Sequence, residues 1–374
     1  MPTAKKVRSV IDTALLQYES DEGAGTDAYC TESIIHPMAE GKYLQILAAL
    51  RRANLLSPVQ LELRTNPVLE RLQLSALRYF DDVFTWGLGF SHRELLPDEP
   101  FLITSAIVTR GVFDCHQEGL SSGRTLDFLK KAVDGLRTWV QKLHCTSEQQ
   151  SLTIPAYSPN IREVIYNAPA YALATLKLIS EIKDQAHTDV GGWLHSLEWL
   201  NSRRIVGLGW PYSPESQVVD LLHQCYLLNS FADVFGVKSI EIPCAEMVGQ
   251  FAGPCCFADA LRIVETDCSL DEKLSIPWVR KVGETQVELL PKPARLWSLG
   301  ELLVLVSRLG EHGDRSVGWI RLCHKIAETI LERLASSGDV ESQYPRHVMH
   351  ALHGLASYLA LLRKKAQLSE GKAR

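Results

Sequence analysis

The chain has no long hydrophobic run. Its opening, MPTAKKVRSVIDTALLQYES, carries basic residues, but the apolar stretch there is too short and too interrupted for a signal peptide or a membrane span. A cytoplasmic protein is the expectation. A basic excess is missing too. Thirty-nine Lys and Arg stand against forty-four Asp and Glu, a formal net charge of -5, with no basic run to supply the phosphate contacts that dominate nucleic-acid affinity. Nucleic acid is therefore not an expected partner. The nine cysteines, at 30, 115, 145, 225, 244, 255, 256, 268 and 323, form no C-x-x-C unit. An odd, scattered set in a chain large enough to fold without staples reads as buried thiols. There is no P-loop and no dinucleotide fingerprint. GAGT, WGLG and GLGW are isolated glycine phrases without the strand-turn-helix setting of a phosphate cradle. No H-E-x-x-H helix is present either, so no cofactor and no bound metal are expected.

What is present is helical rhythm. Apolar residues make up 46% of the 374 positions and charged residues 22%, which suits a globular protein with ample core. Segments of helical period run near 43–54, 66–83, 101–116, 124–143, 160–181, 191–203, 214–235, 252–265, 297–309, 317–336 and 345–363, and few stretches alternate as strands do. Two begin alike, YSPNIREVIYNAPAYALATLKLIS at Tyr157 and YSPESQVVDLLHQCYLLNSFADVF at Tyr212, 55 residues apart. In both, a serine precedes proline, a pairing that suits a helix start. Helix starts near Pro100, Pro159, Pro214, Pro254, Pro293 and Pro345 give six apolar helices at a mean spacing of 49 residues. More polar helices such as TLDFLKKAVDGLRTWVQKL and GWIRLCHKIAETILERLA lie between them and suit an outer layer.

This pattern predicts an all-α fold, an α/α toroid of six hairpins in two concentric layers, with an open helical superhelix as the alternative. Residues 61–365 would form the toroid. Residues 1–60 would be an N-terminal extension or the first barrel elements, and 366–374 a flexible tail. The segment DEKLSIPWVRKVGETQVELLPKP predicts a short hairpin or excursion in place of a full outer helix.

The phrases WGLGFSHRELLPDEPFLITSAIVTRGVFD (86–114), AYSPNIREVIYNAPAYALATL (156–176) and GWPYSPESQVVDLLHQCYLL (209–228) resemble bacterial proteins associated with surface-polysaccharide synthesis. The wider likeness is to six-hairpin carbohydrate-active enzymes: sugar epimerases, glycoside hydrolases and polysaccharide lyases. Terpene cyclases share the architecture, but no DxDD phrase and no Asp-rich diphosphate grip are present. Nor do the histidines match the paired histidines of a sugar 2-epimerase. The resemblance implies architecture and a carbohydrate ligand, and fold alone does not choose the reaction.

The residues that suit such a ligand cluster just ahead of the apolar helices. WGLGFSHRELLPDEP gathers Trp86, His92, Arg93, Glu94, Asp98 and Glu99, an indole to stack on a sugar ring and polar groups to read hydroxyls; a packed tryptophan with an acidic helix start is the plainer reading. Arg110 and Asp114 are four apart on one helical face, and Arg110 suits a carboxylate or phosphate ligand, or a structural pair with Asp114. Tyr157, Asn160, Glu163, Tyr166 and Asn167 offer an amide, a carboxylate and phenols on neighbouring faces. Trp210, Tyr212, Glu215, Gln217, Asp220 and His223 repeat the arrangement. Two carboxylates flanking a glycosidic oxygen would hydrolyse it, which nominates Glu215 with Asp98 or Glu163. Epimerase or lyase chemistry needs a base and an anion stabiliser, for which His92, Tyr212 and Arg110 qualify. His347, His350 and His353 recur every three residues and suit packing or a stripe facing the cavity. The four cysteines 244, 255, 256 and 268 have poor spacing for zinc.

The expected protein is thus a carbohydrate-active toroid of surface-glycan metabolism, with a glycoside hydrolase first, a sugar epimerase or polysaccharide lyase second, and a noncatalytic toroid that binds glycan or organises a biosynthetic partner as the rival. Its expected ligand is an oligosaccharide or an activated sugar.

Overall fold

The computed structural model describes residues 2–91, 96–145, 154–182, 190–205, 209–216, 218–251, 279–282, 287–289, 294–312 and 316–372. Among these the chain forms twelve α-helices: α1 (Ala4–Ser20), α2 (Pro37–Arg52), α3 (Pro58–Leu74), α4 (Leu102–Gln117), α5 (Gly123–Lys142), α6 (Asn167–Ile182), α7 (Val190–Ser202), α8 (Leu221–Phe235), α9 (Val237–Phe251), α10 (Leu296–His312), α11 (Ser316–Ala335) and α12 (Pro345–Lys372). Strands β1 (Ala24–Asp27) and β2 (Cys30–Ile35) pair as an antiparallel hairpin. Strands β3 (Val218–Asp220), β4 (Val279–Val282) and β5 (Val287–Leu289) form a second antiparallel sheet in that order.

The even-numbered helices form the inner layer. Each packs against two others in cyclic order: α2 on α4, α4 on α6, α6 on α8, α8 on α10, α10 on α12, and α12 back on α2. The odd-numbered helices lie outside, α3 on α2, α5 on α4, α7 on α6, α9 on α8, α11 on α10, and α1 on α12. Burial follows this division. In α2 every residue from Pro37 to Leu50 is buried, whereas α1 buries only the stripe Val7, Ile11, Leu15 and Tyr18. Inner helices approach closely where both lack a side chain. A Cβ on Gly111 would lie 2.4 Å from the Gly41 carbonyl, and one on Gly354 would lie 2.5 Å from the Gly300 carbonyl.

The two-layer architecture matches the sequence expectation, and three details correct it. First, neither Tyr-Ser-Pro phrase opens a helix. Ser158 Oγ accepts from the Ile161 amide inside a loop, and α6 starts only at Asn167. Ser213 to Ser216 form a turn that feeds β3, and Asp220 caps α8. Second, the sixth inner helix is α2, from the first sixty residues. The helix expected near 43–54 covers most of it, but all-round burial, together with Glu40, Lys42 and Gln45, hides its place in the inner layer. The expected helix at 252–265 lies outside the described residues. Third, residues 366–372 continue α12, in keeping with the good helix formers in RKKAQL. The expected hairpin near 280 is β4 and β5. Arg280 faces Leu289, and β4 adds onto β3 beside the start of α8.

Candidate functional site

The starts of all six inner helices surround one cavity of about 520 Å³. Met38 comes from α2, Ile103 from α4, Asn167 from α6, Leu222, His223 and Tyr226 from α8, Trp297 from α10 and Arg346 from α12. Loops add Leu88, Tyr157, Glu163, Tyr212, Ser213, Ser216 and Arg295, β3 adds Val218 and Asp220, and the β1–β2 turn adds Tyr29. Residues a turn or more farther along the same helices line a second cavity of about 410 Å³, which includes Lys42, Arg110, Asp114, Asp233, Glu301, Arg308 and His353. The six helices therefore run the same way.

The two Tyr-Ser-Pro loops are built alike. Each tyrosine lines the cavity, and its carbonyl accepts an amide from the preceding inner helix or its approach: Leu102 N to Tyr157 O at 3.0 Å, Tyr166 N to Tyr212 O at 3.3 Å. The tryptophans are equivalent as well. Trp86 Nε1 donates to Leu72 O near the end of α3, and Trp210 Nε1 donates to Leu200 O in α7. Their backbone amides donate to Ser105 Oγ and Gln224 Oε1, each in the first turn of the next inner helix. Both indoles are fully buried and tie an outer helix to the following inner one, so they do not face a sugar.

Among the described residues that line the first cavity, Asp220 and His223 form the one acid–histidine pair. Asp220 Oδ1 accepts from the His223 amide at 3.1 Å as the α8 cap, and Oδ2 is paired with His223 Nδ1. The carboxylate fixes the ring and its tautomer, and the β3–β4 pairing holds residues 218–220 in place. The His223 side chain is 23% exposed, with the Tyr212 ring edge-on at 4.7 Å.

Across the cavity, the Arg346 guanidinium lies 4.5 Å from the Trp297 ring centroid and that of Arg295 lies 5.5 Å from it. His347 stacks on the same indole at 4.7 Å. Arg346 also pairs with Asp27 at 2.8 Å, pinning the β1–β2 hairpin to α12. Beneath them His350 Nδ1 bonds the Arg346 carbonyl, so its Nε2 accepts from Tyr226 OH. Burial lowers the pKa of both His347 and His350 and keeps them neutral.

Of the expected catalytic set, Glu163 lines this cavity. Glu215 and Asp98 sit in exposed turns and are not among its lining residues, because the phrases that carry them are loops and not the first turns of inner helices. Of the binding set, Tyr157, Asn167, Tyr212, Asp220 and His223 line it. Asn160 is exposed and donates to the buried Glu99, and Tyr166 is buried beside Trp199. Arg110 faces the second cavity, held by Asp114 and Asp233, each at 2.8 Å. Its position two turns into α4 takes it to the far end of the ring. His92, Arg93, Glu94, Gln217, Cys255, Cys256 and Cys268 lie outside the described residues. Cys244 is a buried free thiol, and no group of three or more His, Cys, Asp or Glu among the described residues is arranged to hold a metal.

Sequence reasoning missed Tyr29, Tyr226, Arg295, Trp297 and Arg346. The available signal was position: Arg295 and Arg346 stand at the starts of apolar helices, as the nominated loops do. Among the described residues no helix is long and apolar enough to cross a membrane.

No protein-family model matches this chain, and no curated protein matches it in sequence. Its fold is similar to that of cellobiose 2-epimerase from Spirochaeta thermophila, with a TM-score of 0.59 at 12% identity over 98% of both chains. It is also similar to Rex8A from Paenibacillus barcinonensis, solved with xylose, with a TM-score of 0.54 at 10% identity over 96% of this chain and 94% of that one. PssZ from Listeria monocytogenes gives a TM-score of 0.52 at 9% identity over 89% of each chain. The fold is that of α/α-toroid carbohydrate-active enzymes, and identities this low carry the fold alone.

Proposed function

We propose that the cavity at the inner-helix starts binds a saccharide and that His223, oriented by Asp220, moves a proton on it. The observation that carries this reading is the Asp220–His223 pair beside Tyr212, set in a cavity lined by aromatic rings, aliphatic side chains and polar groups. Aromatic area suits the apolar face of a sugar, and a few fixed polar groups read its hydroxyls. An imidazole held at Nδ1 by a carboxylate presents Nε2 for proton transfer. The resemblance to proteins of surface-polysaccharide synthesis supports an oligosaccharide or activated sugar of that metabolism as substrate.

Within this class the arrangement favours an epimerase or lyase over a paired-carboxylate hydrolase. With Glu215 and Asp98 outside the cavity, hydrolysis would fall to Glu163 and Asp220, and Asp220 is already committed to His223 and to the α8 cap. The rival is a toroid that binds glycan without turning it over.

The test is product mass from a glycan panel: unchanged mass marks isomerisation, an added water marks hydrolysis, and an unsaturated product marks elimination. His223→Gln is expected to lower turnover by roughly 10²- to 10⁴-fold with ligand affinity kept. Asp220→Asn keeps a competent helix cap and is expected to lower turnover in the same direction. A glycan that binds the wild type and yields no product makes the protein a binder.

A further inference from the structure

We infer that the saccharide taken by this cavity carries an anionic group, a carboxylate or a phosphate, received by Arg346 and Arg295 beside Trp297. This deepens the saccharide reading of the same cavity and rests on it.

The first argument is placement. Arg295 immediately precedes α10 and Arg346 is the second residue of α12. A helix N-terminus carries partial positive charge, so cations are stabilising at the opposite end. Two arginines at neighbouring inner-helix starts oppose both the helix dipoles and each other, and an anion between them relieves both.

The second argument is burial. Arg346 is only 4% exposed, yet among the described residues its Nε has no hydrogen-bond partner, although Asp27 takes one of its terminal nitrogens. A buried donor left open is costly. Burial, with added repulsion from Arg295, pulls the Arg346 pKa down against the attraction of Asp27. The planar guanidinium fork fits a carboxylate or phosphate oxygen pair, which an ammonium would meet only as a point charge. Trp297, with both guanidinium groups 4.5 and 5.5 Å from its ring centroid, places them next to the wall that the sugar ring would use.

The experiment is calorimetric titration of the full chain with three matched sets. They are uronate-containing oligosaccharides with their carboxyl-reduced counterparts, sugar phosphates with their free sugars, and nucleoside-diphosphate sugars with the same sugars unactivated. The tightest ligand is expected to be the anionic member of its pair by at least about tenfold. Whichever set shows the gap identifies the source of the anion. Arg295→Gln is expected to bring the pair within about twofold, mostly through weaker binding of the charged member. Because Arg346→Gln alone would strand Asp27, the second variant combines Arg346→Gln with Asp27→Asn and is expected to act in the same way. Equal binding of charged and neutral members by the wild type, or a gap that survives both variants, overturns the anion assignment and leaves the saccharide reading standing. Absence of binding by every member of every set overturns both.

Discussion

Lys42 and Glu301 meet across the inner ring rather than along it. Their side chains are 1% and 2% exposed and 2.6 Å apart, on α2 and α10, which α12 separates in the ring. Lys42 Nζ also lies 5.3 Å from the centroid of Tyr226, which lines the first cavity, and 5.8 Å from that of Tyr171, which lines the second. Burial pushes the Glu301 carboxyl up, but Lys42 and His353 outweigh it and leave the group well below the usual carboxylate range. The pair lines the second cavity, and Tyr226 links it to the first.

Removing one partner strands the other charge in the core. Glu301→Leu or Lys42→Met is expected to cost about 3–5 kcal/mol in urea denaturation, and the double variant less than either single change. Single variants within about 1 kcal/mol of wild type would contradict this.

Stability is expected to fall on acidification. Burial lowers the pKa values of His36, His347, His350 and His353 in the folded protein. The unfolded chain, with imidazoles titrating near 6.5, binds protons that the folded state refuses, so stability is lost as pH drops through that value. Each histidine contributes at most about 1.4 kcal/mol per pH unit. Glu40 opposes them. Burial raises its pKa to about 7, so it favours the folded state increasingly as pH falls from there toward the ordinary carboxylate value. With His324, whose pKa burial also lowers, five groups against one predict a lower Tm at pH 5.5 than at pH 7.5; an equal or higher Tm would refute the balance.

Trp86 and Trp210 are expected to matter for folding and not for binding. Replacing either by Phe removes the indole donor from Leu72 O or Leu200 O, which keep a second donor in Ser75 Oγ and the Arg203 amide, at a cost of about 0.5–1.5 kcal/mol. Glycan affinity of the folded variants should stay within twofold. A selective affinity loss with unchanged stability would return these indoles to the binding site.

Glu215→Gln and Asp98→Asn are expected to be silent. Both residues are exposed in turns away from the cavity lining, so stability should shift by less than about 0.5 kcal/mol and turnover should stay at the wild-type level. A large loss of turnover in Glu215→Gln would restore it as the catalytic acid.

The two helical layers were legible because outer helices such as α5 keep a clean stripe, with Phe128, Leu129, Ala132, Leu136 and Trp139 turned inward. The inner helix α2 was legible as a helix near 43–54 but not as an inner one, since burial on every side leaves no stripe to place it. Tyr157, Tyr212 and His223 were found because the loops before inner helices converge on one end of the ring. The same logic overreached at Trp86 and Trp210, whose polar indole nitrogens find carbonyl partners that no local spacing announces. Arg346 and Trp297 owe their place to ring closure between the two ends of the chain, which brings Asp27 to Arg346. A sequence window cannot see that contact.

The most direct measurement is a crystal structure with the tightest-binding oligosaccharide from the panel. The expected result is sugar density against Tyr157, Tyr212 and Trp297, with a ring atom or hydroxyl within hydrogen-bond distance of His223 Nε2. Density in the other cavity, around Arg110 and Asp233, with the first one filled only by water, would contradict the account.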